Sequence, residues 1–100
     1  GVKIVVLNNS YLGMVRQWQQ LFYEQRYSFT AMDNPDFTMI AAAYGIPAAR
    51  VSQPEELPAA MQKLAEADGP YFLEVVVRPE DNVFPMVPAG ASLSNVMCKE

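Results

Sequence analysis

Histidine is absent from these 100 residues, cysteine occurs once, and seven basic side chains face eleven acidic ones. Each shortage removes a class of chemistry. Without histidine the chain carries no Ser/His/Asp or Cys/His triad and none of the usual histidine-containing zinc sites, which leaves carboxylates as its ordinary acid and base groups. The one thiol, Cys98, has no cysteine or histidine to pair with, the pattern of a spare thiol in a reducing compartment. Long apolar runs are missing too: the longest, Tyr71 to Val77, is broken by Glu74, whereas a membrane helix needs about 20 apolar residues. No signal-peptide pattern is present, and the opening on Gly1 rather than Met, straight into a strand-like run, leads us to expect a piece of a longer polypeptide.

Charge is unevenly spread around the net value of −4. Lys3, Arg16 and Arg26 outweigh Glu24 in the first 30 residues, whereas residues 51–82 hold an excess of acids over Lys63 and Arg78. No block of consecutive basic residues occurs, which argues against binding a nucleic-acid phosphate backbone. What is present in quantity is apolar: 51% hydrophobic against 18% charged residues describes a globular core, and the length permits one domain.

Lys3 to Leu7 is a β-branched run stopped by Asn8 and Asn9, a strand entering a turn. Tyr11, Met14, Val15, Trp18, Leu21 and Phe22 then recur at helical spacing, with Arg16, Gln17, Gln19 and Gln20 on the other side. A mixed polar and aromatic connection follows from Glu24 to Asp33. Asn34, Pro35 and Asp36 supply a cap, a first-turn proline and an acid for a second helix, expected to bury Phe37, Ile40, Ala41 and Tyr44 and to stop at Gly45. Ala49 to Ser52 is a short extended piece. Ser52 and Glu55 have capping-box spacing before a third helix, presenting Leu57, Met61, Leu64 and Ala65, whose first turn Pro58 should delay. Asp68, Gly69 and Pro70 end it, and Tyr71 to Val77 suits a parallel strand covered on both faces. This alternation predicts an α/β fold: a three-layer parallel sheet with flanking helices. A Pro-rich tail, residues 79–100, should run over the surface without adding an element, so the domain division expected is an α/β part over 1–78 and this tail.

In open α/β sheets ligands sit beyond the carboxyl ends of strands, where Asn8 to Gly13 falls. The asparagine amide oxygens are hard ligands suited to Mg²⁺ or Ca²⁺, and equally the makings of an ordinary turn and cap. Gly13 fits either close backbone approach or a loop-to-helix junction, and Trp18 on its apolar stripe reads as core. Glu74 reads as a carboxylate satisfied by backbone donors.

Three segments in order, LNNSYLGMVRQWQQLFYEQRYS at 7–28, NPDF at 34–37 and NVFPMVPAGAS at 82–92, resemble the C-terminal part of the thiamin-diphosphate-binding domain of the acetolactate synthase (acetohydroxyacid synthase) catalytic subunit family. The resemblance covers essentially the whole chain. It implies a transferase that decarboxylates pyruvate on thiamin diphosphate and condenses the product with pyruvate or 2-ketobutyrate in branched-chain amino acid biosynthesis. It also implies a divalent ion, Mg²⁺, held by the Asn9 side chain and the Tyr11 carbonyl, with Asn8 as a support residue and Ser10 contributing backbone only. Leu12, Gly13 and Met14 would lie against the cofactor, and Met14, Trp18 and Ala89 would line a substrate channel, with Gly90 in the same C-terminal segment.

The family's Gly-Asp-Gly metal motif and its activating glutamate are not in this sequence, so the isolated chain is expected to be inactive. FAD, bound elsewhere in most of the family, a homo-oligomer with its active site between subunits, and a regulatory small subunit are implied for the parent. Its location would be the bacterial cytoplasm or a eukaryotic organelle matrix or stroma. The family's sheet order would place Tyr71 to Val77 between Lys3 to Leu7 and Ala49 to Ser52, leaving the outer edge of Lys3 to Leu7 bare and prone to self-association. The rival expectations are another thiamin-diphosphate carboligase or oxidase, and a noncatalytic interaction module.

Overall fold

The structure, a computed structural model, describes residues 1–99. Strands β1 (Lys3–Asn8), β2 (Ala48–Val51) and β3 (Tyr71–Val76) and helices α1 (Gly13–Phe22), α2 (Phe37–Ala43) and α3 (Leu57–Glu66) run in the order β1-α1-α2-β2-α3-β3, with a 3-10 turn at Pro54–Glu56 entering α3. They fall into two compact units: Gly1–Ser10 with Asp33–Arg78, and Tyr11–Met32 with the segment from Pro79 onward.

The first unit is built on a parallel sheet of order β1-β3-β2. The near-continuous apolar run is thus the central strand, as the resemblance implied, because only a strand paired on both edges and covered on both faces buries such a run. Side chains alternate along β3. Tyr71 and Leu73 meet Val51 and the α3 residues Ala60 and Leu64 in the buried core, with Ala49, Ala67 and Val75 packed against it. Phe72 points the other way, its ring centroid 6.3 Å from that of Phe37 on α2. One helix on each face makes the three-layer α/β arrangement that the alternation predicts.

Local chemistry sets the helix ends. Asp36 caps α2, its carboxylate accepting hydrogen bonds from the Thr38 amide at 3.0 Å, the Met39 amide at 3.3 Å and the Thr38 hydroxyl at 2.6 Å. The cap is therefore Asp36 rather than Asn34, whose side chain turns to Asn8. At the other end Gly45, at φ +71°, lets its own amide reach Ala42 O and the Ile46 amide reach Ala41 O, both at 2.9 Å, closing a Schellman motif. Before α3 the box forms one residue later than its spacing suggested: the Glu56 carboxylate, not that of Glu55, accepts from the Ser52 and Gln53 amides at 3.4 Å. Pro54 and Pro58 leave the opening turn 3-10. Lys3 ties the start of β1 to the α3–β3 connection, its Nζ donating to the Ala67 and Gly69 carbonyls.

The helices bury narrower stripes than their apolar content predicts. On α2 only Ala41 is buried, and Ile40 and Tyr44 are exposed; on α3 Ala60 and Leu64 are buried, while Leu57, Met61 and Ala65 are exposed. A sheet of three strands is too narrow to cover a full helical face. β1 pairs only with β3 among the described residues, leaving its outer edge open with Val5 and Leu7 exposed.

Leu73, at 0% exposure the best buried side chain of this unit, is the natural probe of the core. Leu73→Ala should lower the unfolding free energy by about 3 kcal/mol in chemical denaturation, and Gly45→Ala, which forces a Cβ into the left-handed region, by about 1 kcal/mol. An unchanged denaturation midpoint for Leu73→Ala would contradict this packing.

Candidate cofactor turn and apolar cavity

Where β1 ends, the first unit assembles a polar network on the α2 side of the sheet. Glu74 lies at the middle of β3, opposite Val6 on one side and Arg50 on the other, and is 2% exposed. Its Oε1 accepts from Asn8 Nδ2 at 2.7 Å and its Oε2 from Arg50 Nε at 2.7 Å. Side chains, not backbone donors, thus satisfy this carboxylate, because the sheet already uses the neighbouring amides. Arg50 also bridges to Asp36 at 3.0 Å, joining the network to the α2 cap.

Asn8 is engaged at both ends of its amide. Its Oδ1 accepts from the Ser10 amide at 2.9 Å and from Asn34 Nδ2 at 3.1 Å, and its own carbonyl accepts from Val77 N at 2.9 Å. Ser10 takes φ +58°, a left-handed conformation, so the chain reverses sharply after Asn9. These bonds build Asn8 into the scaffold. Asn9 occupies the turn itself, and an amide oxygen there is the neutral, hard donor that a divalent cation accepts. Among the described residues no three His, Cys, Asp or Glu side chains cluster to hold a metal.

Charge within the network follows its hydrogen bonds. The Thr38 hydroxyl, then the Met39 amide and the Arg50 charge, hold the Asp36 carboxyl below its usual 3.8 against the opposing effect of burial. Glu74 and then Asp36 keep the Arg50 guanidinium firmly protonated.

The second unit places the remaining candidates around α1. Tyr11 forms an antiparallel bridge with Ala31, and the Leu12 amide donates to Thr30 O at 2.8 Å immediately before Gly13 opens the helix. The Arg16 guanidinium lies between two rings, 5.1 Å from the Tyr11 centroid and 4.8 Å from that of Tyr27, and donates to Pro79 O at 3.1 Å. Met14, Trp18 and Ala89 come together with Phe22, Met86 and Pro88 around an apolar cavity of about 530 Å³. Trp18 is 48% exposed and is therefore no core residue of this chain, contrary to its reading from the apolar stripe alone.

The apolar stripe of α1 thus lines open space, and the buried position belongs to Gln17, which the periodicity had assigned to the polar face. At 1% exposure, Gln17 accepts from Val83 N at 2.8 Å and donates to Val83 O at 3.0 Å. It holds the tail as a sheet neighbour would. Asn82 Nδ2 adds a bond to Gln20 at 3.0 Å, and Met86 and Met97 pair antiparallel, so the tail is fastened without forming a helix or strand. Neither Gln17 nor Glu74 announced its role: a buried glutamine in an amphipathic helix and a lone acid in a strand carry no local sign of partners 66 residues away.

Residues 1–75 match the family described as thiamine pyrophosphate enzyme, C-terminal TPP binding domain, and the chain belongs to it. Within that class it is similar to acetolactate synthase subunits from bacteria, fungi and plants. It is 48% identical over 99 residues to the acetolactate synthase isozyme 2 large subunit of Escherichia coli (strain K12), covering 98% of this chain and 18% of that protein. It is 50% identical over 93 residues to the mitochondrial acetolactate synthase catalytic subunit of Aspergillus candidus, covering 93% of this chain and 13% of the relative. The chloroplastic acetolactate synthase 2 of Zea mays is 40% identical over 104 residues, covering 96% and 16%. The chain spans less than a fifth of the length of these relatives.

Two consequences are measurable. Asp36→Asn keeps a capping side chain and removes the charge. Because the folded-state carboxyl titrates below 3.8, its stabilising contribution is complete above about pH 4 and fades as pH falls through the folded value. The thermal midpoint of the variant should lie below that of the native chain at pH 7, with the gap closing under acid; a constant gap would refute the assignment. Gln17→Leu strands both polar groups of Val83, and should cost about 1–3 kcal/mol and speed proteolytic cleavage within residues 79–99.

Proposed function

We propose that this chain is the cofactor-binding C-terminal part of an acetolactate synthase catalytic subunit. The observation that carries this reading is the 40–50% identity to such subunits over nearly the whole chain. Thiamin diphosphate, when bound, supplies the carbanion chemistry by which one pyruvate is decarboxylated and joined to a second 2-keto acid. The chain's own residues bind and orient. Asn9 offers its side-chain oxygen, and Tyr11 its main-chain carbonyl, to the Mg²⁺ that neutralises the diphosphate, while Leu12, Gly13 and Met14 lie along the cofactor. Support for the Asn9 role comes from its place in the turn directly after β1, at the carboxyl end of a strand of the parallel sheet, where open α/β folds bind their ligands.

Met14, Trp18 and Ala89 form apolar walls suited to the short aliphatic chain of pyruvate or 2-ketobutyrate. The acid and base groups for proton transfer come from polypeptide beyond these residues, as does any FAD site. The parent works as a homo-oligomer with a regulatory small subunit, in the bacterial cytoplasm or an organelle matrix or stroma. No helix among the described residues is long and apolar enough to cross a membrane.

The test is an assay of the full-length protein for acetolactate formed from pyruvate. Product should require both thiamin diphosphate and Mg²⁺, Asn9→Ala should raise the Mg²⁺ needed by about 10-fold or more, and Trp18→Leu should alter the preference between pyruvate and 2-ketobutyrate as acceptor. The isolated 100-residue chain should produce none. Acetate in place of acetolactate, or carboligation only when glyoxylate is supplied, would assign the parent to another thiamin-diphosphate enzyme, and a full-length protein that neither binds nor uses thiamin diphosphate would make this segment a noncatalytic module.

A further inference from the structure

We propose that Glu74 is a positioning residue for the metal turn: its carboxylate fixes the orientation of the Asn8 amide, and that amide sets the Asn8–Asn9–Ser10 reversal from which Asn9 reaches its cation. The inference rests on the proposed ligand role of Asn9.

A carboxylate buried to 2% exposure in a central strand is a costly means of holding three strands together, since a matched apolar side chain would pack there without losing hydration. Its partner Arg50 is 44% exposed and already has a second carboxylate in Asp36. The other oxygen of Glu74 does something no apolar residue could do. Facing Asn8 at 2.7 Å, it accepts only, so the Asn8 side chain must present its NH₂ to β3 and its oxygen to the turn. That oxygen then meets two donors, the Ser10 amide and Asn34 Nδ2. Ser10 is held left-handed at φ +58° by the first of these bonds. The polarity of one buried acceptor is thereby converted into the backbone shape on either side of Asn9. Loss of the groups that orient a metal ligand typically weakens cation affinity by about 10-fold to 100-fold.

Donor and acceptor logic supplies a test that packing cannot mimic. In Glu74→Gln the Arg50 guanidinium still demands an acceptor, so the introduced amide turns its oxygen to Arg50 and its NH₂ toward Asn8. Two donors then face each other, and the Asn8 amide must flip, placing its NH₂ against the Ser10 and Asn34 donors. Asn8→Asp in the same chain removes the conflict: the introduced carboxylate accepts from the glutamine on one side and from Ser10 and Asn34 on the other, with total charge unchanged.

The full-length protein carrying Glu74→Gln, Asn8→Asp or both is titrated with Mg²⁺ at saturating thiamin diphosphate by calorimetry. Thermal midpoints are recorded without cofactor, and hydrogen exchange is followed at the Ser10 amide. Glu74→Gln should raise the Mg²⁺ dissociation constant by about 10-fold to 100-fold and accelerate Ser10 exchange, and the double variant should recover most of both. Native Mg²⁺ affinity in Glu74→Gln, or a double variant that recovers its thermal midpoint but neither affinity nor Ser10 protection, would overturn the proposal and leave Glu74 a strut of the sheet. If Glu74→Gln fails to fold, the double variant decides alone: recovery of affinity supports the role, and continued failure to fold or to bind overturns it. Should the native protein itself bind no Mg²⁺ with thiamin diphosphate, the assigned function fails instead, and Ser10 exchange still judges whether Glu74 sets the turn.

Discussion

One buried carboxylate organises the first unit of this protein. Glu74 sits where the central strand is flanked by both neighbours, and its two oxygens go to the two edge strands, one to Asn8 of β1 and one to Arg50 of β2. Because Arg50 also holds Asp36, the same group reaches the cap of α2. On this face of the sheet the contacts between strands, and those from sheet to helix cap, therefore run through charge-assisted hydrogen bonds that demand particular partners. The opposite face needs no such device: there Leu73, Tyr71 and Leu64 meet in a small, well-filled core.

The second unit solves a different problem with a neutral group. Its tail, residues 79–99, forms no strand or helix beyond the Met86–Met97 bridge, and the Gln17 amide, donor and acceptor at once, pairs with both the N–H and the C=O of Val83. Burying a glutamine is tolerable because each of its ends finds a partner. With the tail held this way, the segment Met86 to Ala89 faces α1, and the apolar stripe of that helix becomes the wall of a cavity instead of a core. Residues that a helical wheel assigns to the interior, Met14 and Trp18 among them, are left half-exposed.

Much of the architecture could be read in advance. Strand and helix positions followed from the β-branched runs, the helical spacing of apolar residues and the Gly and Pro punctuation, and the central place of Tyr71 to Val77 followed from the family resemblance, with which its apolarity agrees. The errors share a cause. Asn34 was expected to cap, Ser52 and Glu55 to form the box, Ile40, Tyr44, Leu57 and Met61 to be buried, and Gln17 to face outward. Each expectation used only neighbours in sequence, whereas the outcome depended on which distant group took the polar atom or how much sheet was available to cover a helical face.

The sequence by itself determined the local conformations and the family, because a strand's alternation, a Schellman glycine and an Asn-Asn turn are properties of short segments. Tertiary structure alone decided which polar side chain does what. Asn8 carries no local mark of its partner, and only the arrival of Glu74 from 66 positions away fixes which way its amide faces. The physical reason is that a hydrogen bond is specified by its partner, and for buried polar groups the partner comes from elsewhere in the fold.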